Sequence, residues 1–208
     1  MDRFFSLDLP PSRFLMHVLV ISLAGLVPVL LVYVLTTPGF AALLWTSAPA
    51  RGLVLRQLLV NGLPVVFAIN YGTCVVYALY QRASVRQPVR LVATDLALRL
   101  SGFVLLHALI FMLAAKWLGS FGGSVSTALQ VVGPTLARAP FFENLSGVYL
   151  YATLLSALPV HATAIDDWLH QRGNPTALPT RAVAIGGAVL IFALFAGLLG
   201  LVGTWMTG

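Results

Sequence analysis

The sequence predicts an all-α integral membrane protein with about five transmembrane helices, short loops and one or two interfacial helices. Three observations carry that reading. Of the 208 positions, 59% are hydrophobic and only 9% are charged. Mean hydropathy is +0.94. Apolar runs of roughly 20 residues or more, long enough for a bilayer, recur along the chain. A soluble domain carries roughly 25% charged residues, so a chain with so few could not cover its surface in water. No stretch outside the apolar runs is long enough for a second core. Residues 1–208 therefore read as a single transmembrane domain.

The first run spans Phe14 to Leu35. At about 1.5 Å per residue it crosses a ~30 Å hydrocarbon core, and Pro28 is tolerable there as a kink. A signal peptide is the competing reading. The candidate cleavage triplet Ala48-Pro49-Ala50 falls too late for one, and the run is too long for a signal core, so the segment is expected to stay as an anchor. The second run, Leu53 to Tyr80, is interrupted by Arg56, Asn61 and Asn70, with Pro64 and Gly72 between them; its best core begins at Leu58. The third spans Leu91 to Leu118, with a cleaner core from Leu96. The fourth spans Phe141 to Ile165, and the fifth, Ala182 to Trp205, has no charge. Gly39 to Trp45 is apolar but short, which suits an interfacial or re-entrant piece. Ser120 to Ala139 is broken by Gly133-Pro134 and is expected to form one or two short surface helices. No internal repeat stands out.

Basic residues near helix ends set orientation. With the N-terminus inside, the inner side carries Arg3, Arg13, Arg82, Arg86, Arg90, Arg99, Arg172 and Arg181, against Arg51, Arg56, Lys116 and Arg138 outside. The expected topology is a cytoplasmic N-terminus, with Gly208 on the opposite side. Of the basic residues only Lys116 is Lys, a bias that fits a GC-rich bacterial source and hence a bacterial inner membrane. Net charge is +6, but the basic residues are scattered through short connections. They fit lipid headgroups and give no reason to expect nucleic acid. The lone cysteine, Cys74, excludes an internal disulfide and reads as a small buried hydrophobe.

Ionisable groups inside apolar segments are functional candidates by default. Asp95 and Arg99 stand four apart on one helical face. Together with Asn70 they form a candidate polar path. The more economical expectation is a pair near the inner interface with Arg99 snorkelling toward headgroups, which makes Asp95→Asn mild. His17 and His161, at similar expected depth, are candidate axial ligands for haem, and His107 could hold a haem or pigment alone; otherwise each is a polar side chain bonded to a neighbouring helix. Asp166 and Asp167 could bind a cation, but a polar helix end before the turn Arg172-Gly173-Asn174-Pro175 explains them with less. Asn61, Asn70 and Tyr71, near Pro64 and Gly72, give the second segment a transporter-like broken pattern, for which interhelical hydrogen bonding is the simpler account. Asn144-Leu145-Ser146 matches a glycosylation sequon, without meaning in a bacterial protein. In the fifth segment, Ala193, Gly197 and Gly200 form a smooth strip suited to close packing on another helix. No catalytic motif or metal-ligand cluster is evident.

These features lead to the expectation of a non-catalytic subunit or assembly protein of a larger membrane complex, with lipids and other membrane subunits as partners. The alternatives are a small transporter or channel, a haem- or pigment-binding electron-transfer subunit, and a membrane sensor module.

Overall fold

The computed structural model describes residues 5–82, 87–119, 125–172 and 178–207, and all its regular elements there are helical. Helix α1 is Pro11–Thr36. A short helix α2, Phe40–Thr46, follows a left-handed turn at Gly39. Helix α3, Ala48–Gln57, runs through a π-helical turn at Leu58–Gly62 into α4, Leu63–Arg82. Then come α5, Pro88–Gly119, and α6, Val125–Arg138. Helices α7, Leu145–Leu155, and α8, Leu158–Arg172, are two pieces of one rod, and α9 is Thr180–Thr207.

Five helical rods are long and apolar enough to cross a membrane: Pro11–Thr36, Ala48–Gln81, Pro88–Leu113, Leu145–Arg172 and Thr180–Trp205. All five expected segments are thus present, with shifted ends: the fourth begins at Leu145 rather than Phe141 and runs on to Arg172. Helix α6 has 14 residues, or about 21 Å, too short to span; the first part of that predicted connection, 120–124, lies outside the described residues. The Gly39–Trp45 stretch forms α2, a two-turn helix beside the end of α1. The fourth segment departs from expectation because its helix breaks at Ser156-Ala157, just ahead of Pro159. Proline disfavours helical geometry in the residue before it and supplies no N–H.

The rod α7–α8 is central: 56% of its most apolar stretch is buried, against 11% for α9. Helix α1 lies against α4 and α7, while α5 lies against α4, α7 and α8, and α9 packs chiefly on α8. Close approach of α1 and α7 depends on Gly25, where a Cβ would run into Ser156 Oγ and the Ala152 carbonyl. The π turn brings Gly62 under the Tyr149 ring, and the Tyr149 hydroxyl donates to Gln57 O at 3.3 Å. The outward faces are apolar: Leu35, Leu105, Leu194 and Leu201 are each about two-thirds exposed. Polar side chains are instead gathered inside, the arrangement that a lipid solvent favours.

Two apolar clusters make up the interior. One contains Leu26, Val66, Ile69, Phe103 and Leu150. The other contains Phe14, Val18, Cys74, Tyr77 and Val160. Between them on each helix lie polar residues: Ser22 between Val18 and Leu26, Asn70 between Ile69 and Cys74.

Candidate functional site

That polar layer is one hydrogen-bonded network drawn from five helices. Its centre is Arg99 on α5, whose side chain is 0% exposed. Arg99 Nε donates to Asp95 Oδ2 at 2.7 Å, one helical turn back. Arg99 Nη1 donates to Asn70 Oδ1 on α4 at 2.5 Å and to the Thr153 carbonyl on α7 at 2.6 Å. On α8, His161 Nε2 donates to the same Asp95 Oδ2 at 2.9 Å. Asn70 Nδ2 continues the chain to Ser22 Oγ on α1 at 2.9 Å, and Ser22 returns its proton to Val18 O at 2.7 Å.

The break between α7 and α8 builds part of this site. In an unbroken helix the Ala157 N–H would bond the Thr153 carbonyl. Here it turns to Leu154 O at 3.1 Å. The Thr153 carbonyl is released from the ladder, and Arg99 takes it. A helix interruption thus supplies a strong acceptor where a buried guanidinium requires one.

Burial bears on the expected snorkelling of Arg99, whose side chain is enclosed within the bundle. Helix α5 begins at Pro88, so Arg99 lies 11 residues in, or about 16 Å along the axis. Ser22 sits near the middle of its rod, Asn70 about two-thirds along and Thr153 about one-third along. Arg99 does not snorkel, because its partners lie inward. Asn70, Asp95 and Arg99 are hydrogen-bonded together, while His107 is elsewhere: its Nδ1 meets Phe103 O at 2.9 Å and its ring tilts against Phe103.

Arg99 and Asp95 neutralise one another, which removes the largest penalty of burying either. Within this network two side-chain atoms stay unmatched, Asp95 Oδ1 and Arg99 Nη2. Beside Asp95 is a cavity of about 10 Å³ between α4, α5 and α8, lined by Thr73, Tyr77, Tyr80, Leu91 and Val160. It has the size of a single water and points from the network toward the α4–α5 end. Chemically, the site offers a carboxylate and an imidazole in contact, with a fixed cation whose ties depend on that carboxylate's charge.

The three candidate histidines have different settings. His161 is 2% exposed and spends Nε2 on Asp95, so an axial bond to iron through Nε2 would have to displace that carboxylate. His17 is half-buried and sits edge-on to Phe5. His107 is buried between α5 and α7, near Tyr149. In α9, Ala193 and Gly197 face outward and Gly200 is half-buried, and a Cβ at Gly197 or Gly200 would meet nothing within 4 Å. The strip therefore does not pack inside this chain. The glycines that do are Gly187, against Ile165, and Gly203, against Phe141. Asn144 caps α7, accepting from Gly147 N at 2.9 Å, which gives the sequon residue a structural role. The predicted turn at Gly173, Asn174 and Pro175 lies outside the described residues.

Sequence reasoning missed Ser22 and Thr153 altogether and did not pair His161 with Asp95. Ser22 carries a sequence signal, as a hydroxyl in an otherwise apolar run; the Thr153 carbonyl carries none. Comparison with family models, curated proteins and solved structures finds no match to this chain.

Proposed function

We propose that the chain is a small transporter of the bacterial inner membrane, with its N-terminus cytoplasmic, whose conformational switch is proton uptake at the Asp95–His161 pair. The observation that supports this is the single carboxylate oxygen shared by Arg99 and His161 in the middle of the bundle. Ionisable groups at that depth are expensive and characteristic of ion and proton pathways. A proton added to Asp95 cancels the charge that holds Arg99. The guanidinium then keeps only neutral acceptors, Asn70 Oδ1 and Thr153 O, and a lone buried cation is strongly disfavoured. The bundle gains a reason to open along α4, α7 and α8, and closes when the proton leaves. Coupling a proton to the passage of a small solute requires this kind of two-state element.

The test is purified protein in liposomes containing a pH-sensitive dye, with an imposed proton gradient and a panel of radiolabelled amino acids, sugars and organic cations. Gradient-driven uptake of one class, lost in Asp95→Asn, supports the reading. Uptake equal to that of protein-free vesicles across the panel, or undiminished in Asp95→Asn, overturns it.

A second reading, a non-catalytic subunit of a larger membrane complex, is favoured by the outward strip of Ala193 and Gly197 on a helix that contributes little to its own bundle. Native mass measurement after gentle solubilisation separates the two readings.

A further inference from the structure

The chain just ahead of α1 folds back onto the bundle. It turns at Ser6–Leu9, where Leu9 N donates to Ser6 O at 3.2 Å and Asp8 N donates to Ser6 Oγ at 3.1 Å. Leu7 and Asp8 at the tip are exposed, yet Phe5 is only 1% exposed. Among the buried rings of the described residues, it alone stands outside a helix. Its ring meets Phe14 and His17 on α1 and Tyr77 on α4, each edge-on, with centroids 6.3 to 6.4 Å apart. Phe5 thus fills a gap between α1 and the C-terminal part of α4.

What lies beneath that ring gives it a role. Phe5 belongs to the cluster of Phe14, Val18, Cys74, Tyr77 and Val160. Tyr77 and Val160 also wall the small cavity beside Asp95, together with Thr73 and Tyr80. On its α5 side that cavity is closed by Tyr80, whose hydroxyl is 3.4 Å from Thr94 Oγ1, and opening there means parting two helices. On the α1 side Phe5 can leave without moving a helix, because it stands on a strap outside the rods. Burial of one phenyl ring favours the seated strap by roughly 10- to 100-fold. That leaves the lifted strap populated at about 1–10%, the range of a minor state that a protein visits.

We infer that Phe5 is the plug of a gated approach to Asp95: when the strap of residues 5–9 lifts, water from the N-terminal side passes between α1 and α4, by Tyr77, to the cavity. What the gate admits, a proton bound for the carboxylate, rests on the Asp95–His161 switch proposed for this chain; that the strap gates the interior does not. Cys74 lies in the same cluster at 0% exposure. It is the only thiol in the sequence, so its reactivity reports entry.

The experiment uses the full chain in sealed proteoliposomes. A membrane-impermeant trimethylammonium methanethiosulfonate is applied to one side or the other, and intact mass counts the adduct on Cys74. Val89→Cys in a Cys74→Ala background identifies the side of the α4–α5 end, where the N-terminus lies. Wild type should react slowly from both sides. Phe5→Asp, whose carboxylate cannot stay seated among apolar rings, should react roughly tenfold faster or more, and from the N-terminal side alone. Phe5→Leu should stay slow, and so should Leu7→Asp, which adds the same charge where the strap is already 40% exposed. Helicity checks that the bundle survives. Should Phe5→Asp lose helicity, Phe5→Ala, which empties the gap without adding charge, takes its place with the same expectation. A folded variant as slow as wild type overturns the gate. So does acceleration from the opposite side or from both sides, or equal acceleration in Leu7→Asp. Gated labelling of Cys74 without proton-driven uptake would keep the plug and withdraw the proton as what it admits.

Discussion

Asp95 and Arg99 are bound Nε to Oδ2 at 2.7 Å with side chains 6% and 0% exposed, so the pair is an interior tie and each member is the other's only full counter-charge among the described residues. Removing either should be far worse than removing both. Asp95→Asn and Arg99→Met should each lower stability by about 3–5 kcal/mol, the usual cost of leaving a buried charge unmatched. The double variant Asp95→Leu/Arg99→Met should be milder than either single one. Thermal unfolding in detergent measures this. A double variant as damaged as the worse single would show that the ion pair does not dominate. The structure thus reverses the expectation, drawn from the interfacial reading, that Asp95→Asn is mild.

His161 should separate stability from switching. His161→Gln keeps an N–H for Asp95 and should cost about 1 kcal/mol or less, whereas His161→Phe, which leaves the carboxylate a donor short, should cost about 1–3 kcal/mol. Both should impair gradient-driven uptake, because neither replacement can relay a proton to Asp95. Transport retained in His161→Gln would remove the imidazole from the switch and leave it to Asp95 alone.

Glycine positions give opposite expectations on two helices. Gly25→Val should destabilise by at least about 1–3 kcal/mol, since α1 would have to back away from Ser156 and Ala152. Gly197→Ala meets nothing, so it should be neutral or stabilise by about 0.5–1 kcal/mol through helix propensity. Gly197→Leu then tests the subunit reading. An unchanged fold with a smaller native complex supports a partner on the α9 strip, and an unchanged complex assigns the strip to lipid.

Topology is testable with single cysteines. Cys74 is buried and should stay silent to membrane-impermeant maleimide. Val89→Cys and Trp205→Cys replace residues that are 79% and 86% exposed. They should label from opposite sides of sealed vesicles, with the Val89 side cytoplasmic. Labelling from one side would rule out five crossings.

The long rods were legible because continuous apolar runs of bilayer length have few other solutions. The depth of Arg99 was not, because it turns on where α5 begins, and Pro88 extends that helix ahead of the apolar core at Leu96. Four-residue spacing correctly paired Asp95 with Arg99, yet it says nothing about which way the pair faces. That is decided by Asn70, Thr153 and His161, which lie 29, 54 and 66 residues away from their partners in the network. His161 was singled out for its chemistry, but the sequence could not supply the carboxylate that occupies it. The carbonyl of Thr153 was beyond reach because backbone groups carry no sequence signature; Pro159, which marks the break that frees it, was the available hint.

The order in which the chain emerges during synthesis gives the α7–α8 break one more consequence. Ser22 and Asn70 are made before Arg99, but Thr153 and His161 follow it. An Arg or Asp at the centre of an inserting helix is disfavoured by about 2.5–3.5 kcal/mol, and Asp95 offsets only part of that for α5. The nascent third span should therefore wait, incompletely matched, until the fourth rod arrives with the interruption that receives the guanidinium. Chains halted shortly after residue 140 should hold α5 loosely and slip it back toward water, and release through residue 172 should lock it in place.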